Sequence, residues 1–314
     1  MTFTVIRPGM QTTLQAMPFT GYRHLGMPAA GAADCLSFAL ANRLVGKDRS
    51  EAAVEVTLDR AEFVADEPCA IAVTGAASQL RINDKPAALH QTTPIRKGDR
   101  LVIDAARSGC RSYLAVSGKL QSEAVLGSQS TYLGARLGGF QGRALKAGDR
   151  LDCSNSDQSV PIVRTPENLR PVHGDKYLLR IIAGPEYSVL NEQSRQSLEH
   201  VRHRVSMRAN RMGLGLTGVN LHTEEMSSMA SAAVFPGTIQ CPPNGEPILL
   251  GSDAQTTGGY PRIAQVIRAD RHLIGQLRSN AEVQLLLITT EQAAQIYRQK
   301  LVLLKPWLGD ISLW

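Results

Sequence analysis

Short apolar runs of strand length, bounded by Gly, Pro, Asn and Asp, dominate this chain. Residues 69–74 (Cys-Ala-Ile-Ala-Val-Thr), 112–116 (Ser-Tyr-Leu-Ala-Val) and 177–182 (Tyr-Leu-Leu-Arg-Ile-Ile) are examples, and runs of this kind predict β-strands. Residues 81–86 (Arg-Ile-Asn-Asp-Lys-Pro) predict a strand entering a hairpin turn at Asn83 and Asp84. Two segments echo each other, Arg96 to Leu101 and Lys146 to Leu151, each a Gly-Asp turn launching a strand. Helical patterning is sparse. Asp34 caps a predicted helix through Val45, with Leu36, Leu40 and Leu44 on one face and Gly46 as its stop. Pro185 and Glu186 are expected to open a second helix carried by Val189, Leu190 and Leu198. Thr289 and Gln292 form a capping box for a third, expected to end before Pro306, with Trp307 and Trp314 in a docked tail or interface.

The expected fold class is therefore mainly β: two β-rich, barrel-like domains with a few short helices. At 314 residues the chain exceeds the usual span of one hydrophobic core. We expect an N-terminal β-rich domain over 1–160, a β-barrel domain over 171–290, and a C-terminal helix and tail over 291–314. The polar, proline-containing stretch from Ser154 to Pro171 is the expected linker.

Composition narrows the class. An apolar fraction of 43% and a charged fraction of 20% describe a folded soluble protein. No apolar run approaches the ~20 residues that cross a bilayer, and the opening residues lack the basic-then-apolar pattern of a secretory signal, so a cytoplasmic location is expected. The five cysteines are scattered without a C-x-x-C pair, which argues against a disulfide framework or a structural zinc site. Net charge is +6, and 26 of the 34 basic residues are Arg, whose planar fork suits carboxylates, phosphates and interface ion pairs. The densest basic stretch holds Arg202, Arg204, Arg208 and Arg211 with His200 and His203. It lacks the interleaved aromatics or reading module of a nucleic-acid binder. A small anionic substrate or an acidic protein partner fits it better.

Chemistry concentrates in residues 253–261 (Asp-Ala-Gln-Thr-Thr-Gly-Gly-Tyr-Pro). Gly258 and Gly259 permit positive φ and close backbone approach, and Pro261 biases Tyr260 towards extended geometry. A polar turn between the apolar runs 247–250 and 263–267 accounts for part of this composition, but binding residues favour loops on a rigid scaffold. Three further stretches carry candidates: Arg7 to Gln15, with Thr13 and Gln15; Asn210 to Gly218, where Asn210 and Arg211 precede glycines; and Pro236 to Gly245, where Gln240 and Asn244 offer amides. There is no P-loop, since Gly118-Lys119 runs into Leu120, and no G-x-S-x-G elbow. His200 and His203 lack H-E-x-x-H spacing, so no metal is expected. No biotin-attachment sequence occurs.

Taken in order, these motifs resemble the biotin-dependent carboxyltransferase, or allophanate hydrolase subunit 2, family, which includes the C-type component of 5-oxoprolinase. The resemblance runs from Arg7-Pro-Gly through Thr12-Thr13 and Gln15, Gly31-Ala-Ala-Asp34, Ala41 to Gly46, Glu55 to Leu58, Arg111 to Gly118 and Leu126 to Thr131. It continues through Gly184 to Tyr187, Asn210 to Gly213, Pro236 to Gln240 and Gln255 to Pro261. Ala16 stands where the family has Asp, Pro18 and Phe19 where it has Gly-Arg, Lys119 where it has a second Gly, and Gly215 where it has Arg.

The resemblance implies a cyclophilin-like C-terminal barrel working beside a B-type partner subunit, with an A-type subunit as a further candidate partner. It implies ATP-dependent opening of the lactam of 5-oxoproline to L-glutamate, with ATP bound by or shared with the partner. Asp253, Gln255, Thr257 and Tyr260 are then the candidate catalytic residues. Thr13, Gln15, Asn210, Arg211, Gln240, Asn244, Thr256, Gly258 and Gly259 are the candidate substrate-binding residues. The alternatives are carboxyl transfer to urea or a related amide with biotin arriving in trans, and a binding module that antagonises a kinase-inhibitor-like partner.

Overall fold

The computed structural model describes residues 2–154, 159–223 and 229–314. The chain forms two compact units, residues 1–19 with 30–173, and residues 20–29 with 174–314. The fold is mainly β, as expected, with two β-rich units. The ten-residue excursion at 20–29 means the units are not consecutive segments.

In the first unit a seven-stranded sheet, centred on Thr2–Arg7 and Ala61–Ala65, and a five-stranded sheet, centred on Arg111–Val116, enclose one apolar core. Phe3, Phe63, Leu101 and Ile103 of the first sheet meet Leu14, Val54, Ile71 and Leu114 of the second. Helix α1 (Cys35–Leu44) packs on the strands Arg111–Val116 and Cys69–Gly75. All six residues of Arg111–Val116 are buried because both of its faces are covered. Leu114 joins the inter-sheet core while Tyr113 turns to Phe38 of α1, edge to face at 6.0 Å. Asp34 caps α1 as expected, its carboxylate accepting from the Leu36 and Ser37 N–H groups at 3.1 and 3.0 Å.

The echoing turns share one construction. Asp99 accepts the Arg96 N–H and Asp149 the Lys146 N–H, both at 2.7 Å, with Gly98 and Gly148 at positive φ. Asn83 and Asp84 both adopt left-handed φ, 49° and 64°, the geometry of a tight hairpin turn. The expected linker is not one across residues 159–173. Val163 O accepts from Thr92 N, and Thr165 N donates to His90 O, each at 2.9 Å, so this stretch runs along the first unit.

The second unit is built on a closed barrel. Its order is Lys176–Ala183, Arg262–Val266, Thr238–Gln240, Ile248–Leu250, Gly213–Thr217, His203–Val205 and Glu282–Leu287, the last pairing parallel with the first. Leu179, Ile181, Leu216, Ile239, Val283 and Leu285 fill it. The helix expected from Pro185 is broken: a 3-10 turn covers Tyr187–Val189, Leu190 is extended and buried, and α2 (Glu192–His200) starts after Asn191. Asn191 is the better cap, its side chain accepting the Ser194 N–H at 2.8 Å. After the short α3 (Arg271–Ile274), α4 (Thr290–Leu308) begins with the expected Thr289/Gln292 capping box. It runs through Pro306 instead of stopping before it. The bond Pro306 cannot make falls on Val302, which is exposed, so water can serve its carbonyl. The tail docks on the same unit, with Leu313 buried, its N–H donating to Tyr297 Oη at 3.2 Å and its carbonyl accepting from Arg268 Nε at 2.6 Å. All five cysteines are buried, and none is joined in a disulfide among the described residues. Among the described residues no helix is long and apolar enough to cross a membrane.

Candidate functional site

The residues from Asp253 to Pro261 form a polar ledge on the second unit. Its floor is an ion pair. Arg211 Nε and Nη2 meet Asp253 Oδ2 and Oδ1 at 2.9 and 2.7 Å, with both side chains about 95% buried. Asp253 N also donates to Arg211 O at 2.9 Å, so side chain and backbone tie the two loops together. Above this floor, Thr257–Gly258 pairs antiparallel with Ala232–Ala233, and Val234 N donates to Thr256 O at 3.0 Å.

Gln240 is the ledge's internal support. Buried on the barrel strand Thr238–Gln240, it donates through Nε2 to Tyr260 O at 3.1 Å and accepts at Oε1 from Gln255 Nε2 at 3.3 Å. The glycine pair serves close approach and not unusual conformation, since neither Gly258 nor Gly259 has positive φ. A Cβ on Gly258 would lie 2.6 Å from Gln240 Nε2, and one on Gly259 3.2 Å from Met229 O. A side chain at Gly258 would displace the Gln240 amide from the place where it holds Tyr260 and Gln255.

What the ledge presents outward is Gln255, Thr257 and Tyr260, all exposed, with Thr256 half-buried between them. Thr256 forms a bend between Gln255 and the short strand Thr257–Gly258. The surface is an amide, a hydroxyl and a phenol: neutral donors and acceptors suited to a planar polar group such as an amide.

The remaining candidates divide. Asn210 is exposed, and its Oδ1 accepts the Met212 and Gly213 N–H groups at 2.8 and 3.2 Å. Asn244 is likewise exposed and accepts the Glu246 N–H at 3.2 Å. Both shape turns. Thr13 and Gln15 belong to the first unit. Gln15 is fully buried, donating to Thr13 Oγ1 and Thr131 O at 3.0 and 3.1 Å, while its Oε1 has no partner among the described residues. Ala16 and Phe19 are buried as apolar residues. Gly215 lies on the barrel strand Gly213–Thr217, where a Cβ would stand 3.0 Å from Ser206 Oγ.

The basic stretch also divides. Arg202 and Arg204 reach Glu282 at 3.9 and 3.2 Å, Arg211 turns inward to Asp253, and His203 is buried with Nε2 on Leu198 O at 3.0 Å. Burial pushes the His203 pKa down. Among the described residues no three His, Cys, Asp or Glu side chains converge as a metal site.

Two arginines by the ledge escaped the sequence reading. Arg262 forks onto Glu186 at 2.8 and 2.6 Å and donates through Nη1 to Ala233 O at 2.9 Å. Arg23, from the excursion at 20–29, stacks over the Phe235 ring at 5.0 Å and donates to Val234 O. Its position 211 residues before Val234 leaves no local signal of that contact.

Comparison with known proteins identifies the scaffold. The family described as carboxyltransferase domain, subdomain A and B, matches residues 25–286. The chain belongs to that family. It is 36% identical over 294 residues to the C-type 5-oxoprolinase subunit of Escherichia coli K12, covering 92% of each chain. It is also 30% identical over 322 residues to urea amidolyase of Lachancea kluyveri, covering 94% of this chain but 17% of that one. Among solved structures, the Kluyveromyces lactis urea carboxylase superposes with a TM-score of 0.90 at 27% identity, over 100% of this chain and 30% of that chain. The chain thus spans less than a third of that urea enzyme and nearly all of the oxoprolinase component.

Proposed function

We propose that this chain is the C-type component of an ATP-dependent 5-oxoprolinase that converts 5-oxoproline to L-glutamate with a B-type partner subunit. The observation that carries this reading is end-to-end similarity: 92% of the chain aligns with 92% of a C-type 5-oxoprolinase component. The ledge agrees with it. The lactam of 5-oxoproline is a planar amide, and Gln255 and Thr257 offer it complementary donors and acceptors beside Tyr260. Donors held in place by Gln240 and the Arg211–Asp253 floor need no reorganisation as charge develops on a lactam oxygen. Asp253 is occupied by Arg211, so its part is to hold the ledge, and Tyr260 is the nearer candidate for orienting a proton.

The ledge does not fit a triphosphate. Gln255, Thr257 and Tyr260 are neutral, the Arg211 fork is turned onto Asp253, and Arg23 offers a single cation beside them. ATP therefore belongs to the partner subunits in this reading, where it activates the lactam oxygen. This chain contributes recognition and orientation.

The test is co-purification with the B-type and A-type subunits, followed by ADP release with 5-oxoproline against urea. Gln255→Ala and Thr257→Ala should each lower kcat/KM for 5-oxoproline by roughly tenfold, the worth of one or two hydrogen bonds. Unchanged kinetics in both variants would remove the ledge from the reaction.

A second reading is favoured by the urea carboxylase superposition. It is carboxyl transfer to urea or a related amide, with biotin carried in trans and the same ledge gripping the amide. Avidin inhibition of the reconstituted activity would support this reading, and avidin insensitivity would exclude it.

A further inference from the structure

Arg23 differs from three other arginines of its unit. Arg180 forks onto Asp270, Arg211 onto Asp253 and Arg262 onto Glu186. Among the described residues Arg23 has no carboxylate at ion-pair distance. It opens a short 3-10 turn, Arg23–Leu25, closed by Gly26 at φ 82°, whose N–H donates to Arg23 O at 3.0 Å. The guanidinium lies over Phe235, and Nη2 donates to Val234 O. Nη1 is covered and meets no acceptor among the described residues. Desolvation lowers the Arg23 pKa.

The position of this charge gives it meaning. Val234, whose carbonyl holds Arg23, is the residue whose N–H clasps Thr256 O. The cation therefore stands at the rim of the ledge, next to the segment that presents Gln255 and Thr257. The side chain as a whole is only part-buried, so the guanidinium borders solvent at the rim while Nη1 itself is covered. The ring beneath keeps the fork planar against one face. A guanidinium donor held in low dielectric without an acceptor is what an incoming anionic oxygen satisfies best.

We infer that Arg23 is the carboxylate-recognition residue of the ledge: the site takes a small ligand bearing both a planar amide and a carboxylate. The ledge binds the amide, and Arg23 selects for the acid. This inference rests on the oxoprolinase reading for the lactam half of the ligand and goes beyond it in assigning the carboxylate half. It also assigns specificity, because urea has no carboxylate to offer.

The experiment measures binding to the purified full-length chain by ligand-observed NMR and calorimetry. The probes are 5-oxoproline, 2-pyrrolidinone (the same lactam ring without the acid) and inorganic phosphate. The unchanged chain should prefer 5-oxoproline over 2-pyrrolidinone by roughly ten- to a hundredfold, the range for a charge-assisted hydrogen bond. Arg23→Gln should abolish that preference by weakening 5-oxoproline alone, and Arg23→Lys should keep part of it. Thermal unfolding identifies variants that have lost the fold, and Arg23→Lys, the milder change, keeps the test decisive.

Equal binding of the two lactams by the unchanged chain, no binding of either, or a preference that survives in Arg23→Gln overturns the inference. So does Arg23-dependent binding of phosphate without that of 5-oxoproline. The two levels separate cleanly. An Arg23-dependent preference in a chain whose reconstituted complex does not turn over 5-oxoproline defeats the oxoprolinase reading and leaves the carboxylate site standing. Turnover with an unchanged KM in Arg23→Gln does the reverse.

Discussion

Arg211 and Asp253 face each other with two hydrogen bonds and almost no solvent. Removing one member of such a pair strands a buried charge and costs about 3–5 kcal/mol, whereas replacing both with apolar groups of similar volume costs far less. Asp253→Ala should therefore lower the stability of the second unit by about that amount in urea titrations, and Arg211→Met with Asp253→Leu should recover much of it. Gly258→Ala acts differently. Its Cβ would meet Gln240 Nε2 at 2.6 Å, so we expect kcat/KM for 5-oxoproline to fall tenfold or more with only a small change in Tm. The ledge itself was legible in the sequence because its side chains are consecutive. Its supports were not. The Arg211–Asp253 pair spans 42 residues and the Arg23–Val234 contact 211, and no local pattern encodes which Arg finds which acid. For the same reason Arg211 read as a substrate-binding residue, although the fold turns it inward. Of the two properties the glycine pair suggested, positive φ and close approach, the fold uses the second.

At the scale of elements, the features that came through are those whose physics is local. The Asp34 cap, the Thr289/Gln292 box and the left-handed Asn83-Asp84 turn each depend on residues within one turn of the chain. The broken helix after Pro185 and the long α4 depended on non-local terms. Leu190 is drawn into the barrel core, which leaves Asn191 to restart the helix. Pro306 is tolerated in α4 because the bond it forfeits lies on an exposed turn. Thr289→Ala should cost about 1 kcal/mol, the usual worth of an N-cap side chain. The loss should appear as a lower Tm and as fraying of the first turn of α4 in amide exchange. Protection unchanged across residues 290–293 would show that tertiary packing, not the box, sets where α4 begins.

The whole molecule carries a pH dependence fixed by its buried histidines. Burial, with smaller contributions from Arg170 and His173, pushes the His90 pKa down to about 4 from an ordinary 6.5. Burial also lowers His173 and His203. The unfolded chain accepts these protons near pH 6.5 while the folded chain refuses His90's until about pH 4. The contribution of neutral His90 is thus complete above pH 6.5 and is lost as pH drops from 6.5 towards 4, by up to about 1.4 kcal/mol per pH unit. His90→Asn, which tolerates the left-handed φ of 55° at this position, should flatten the slope between pH 6.5 and 5, above the range where carboxylates titrate. A slope unchanged by the substitution would assign the acid sensitivity to other groups.

In the proposed function this chain is one component of an oxoprolinase and makes no glutamate without its partners. The direct measurement is ATP-dependent glutamate formation from 5-oxoproline, comparing the complete set of A-, B- and C-type components with the same set lacking this chain and with this chain alone. Glutamate should form only in the complete set. Equal turnover with this chain left out, or glutamate made by the chain alone, would contradict the account.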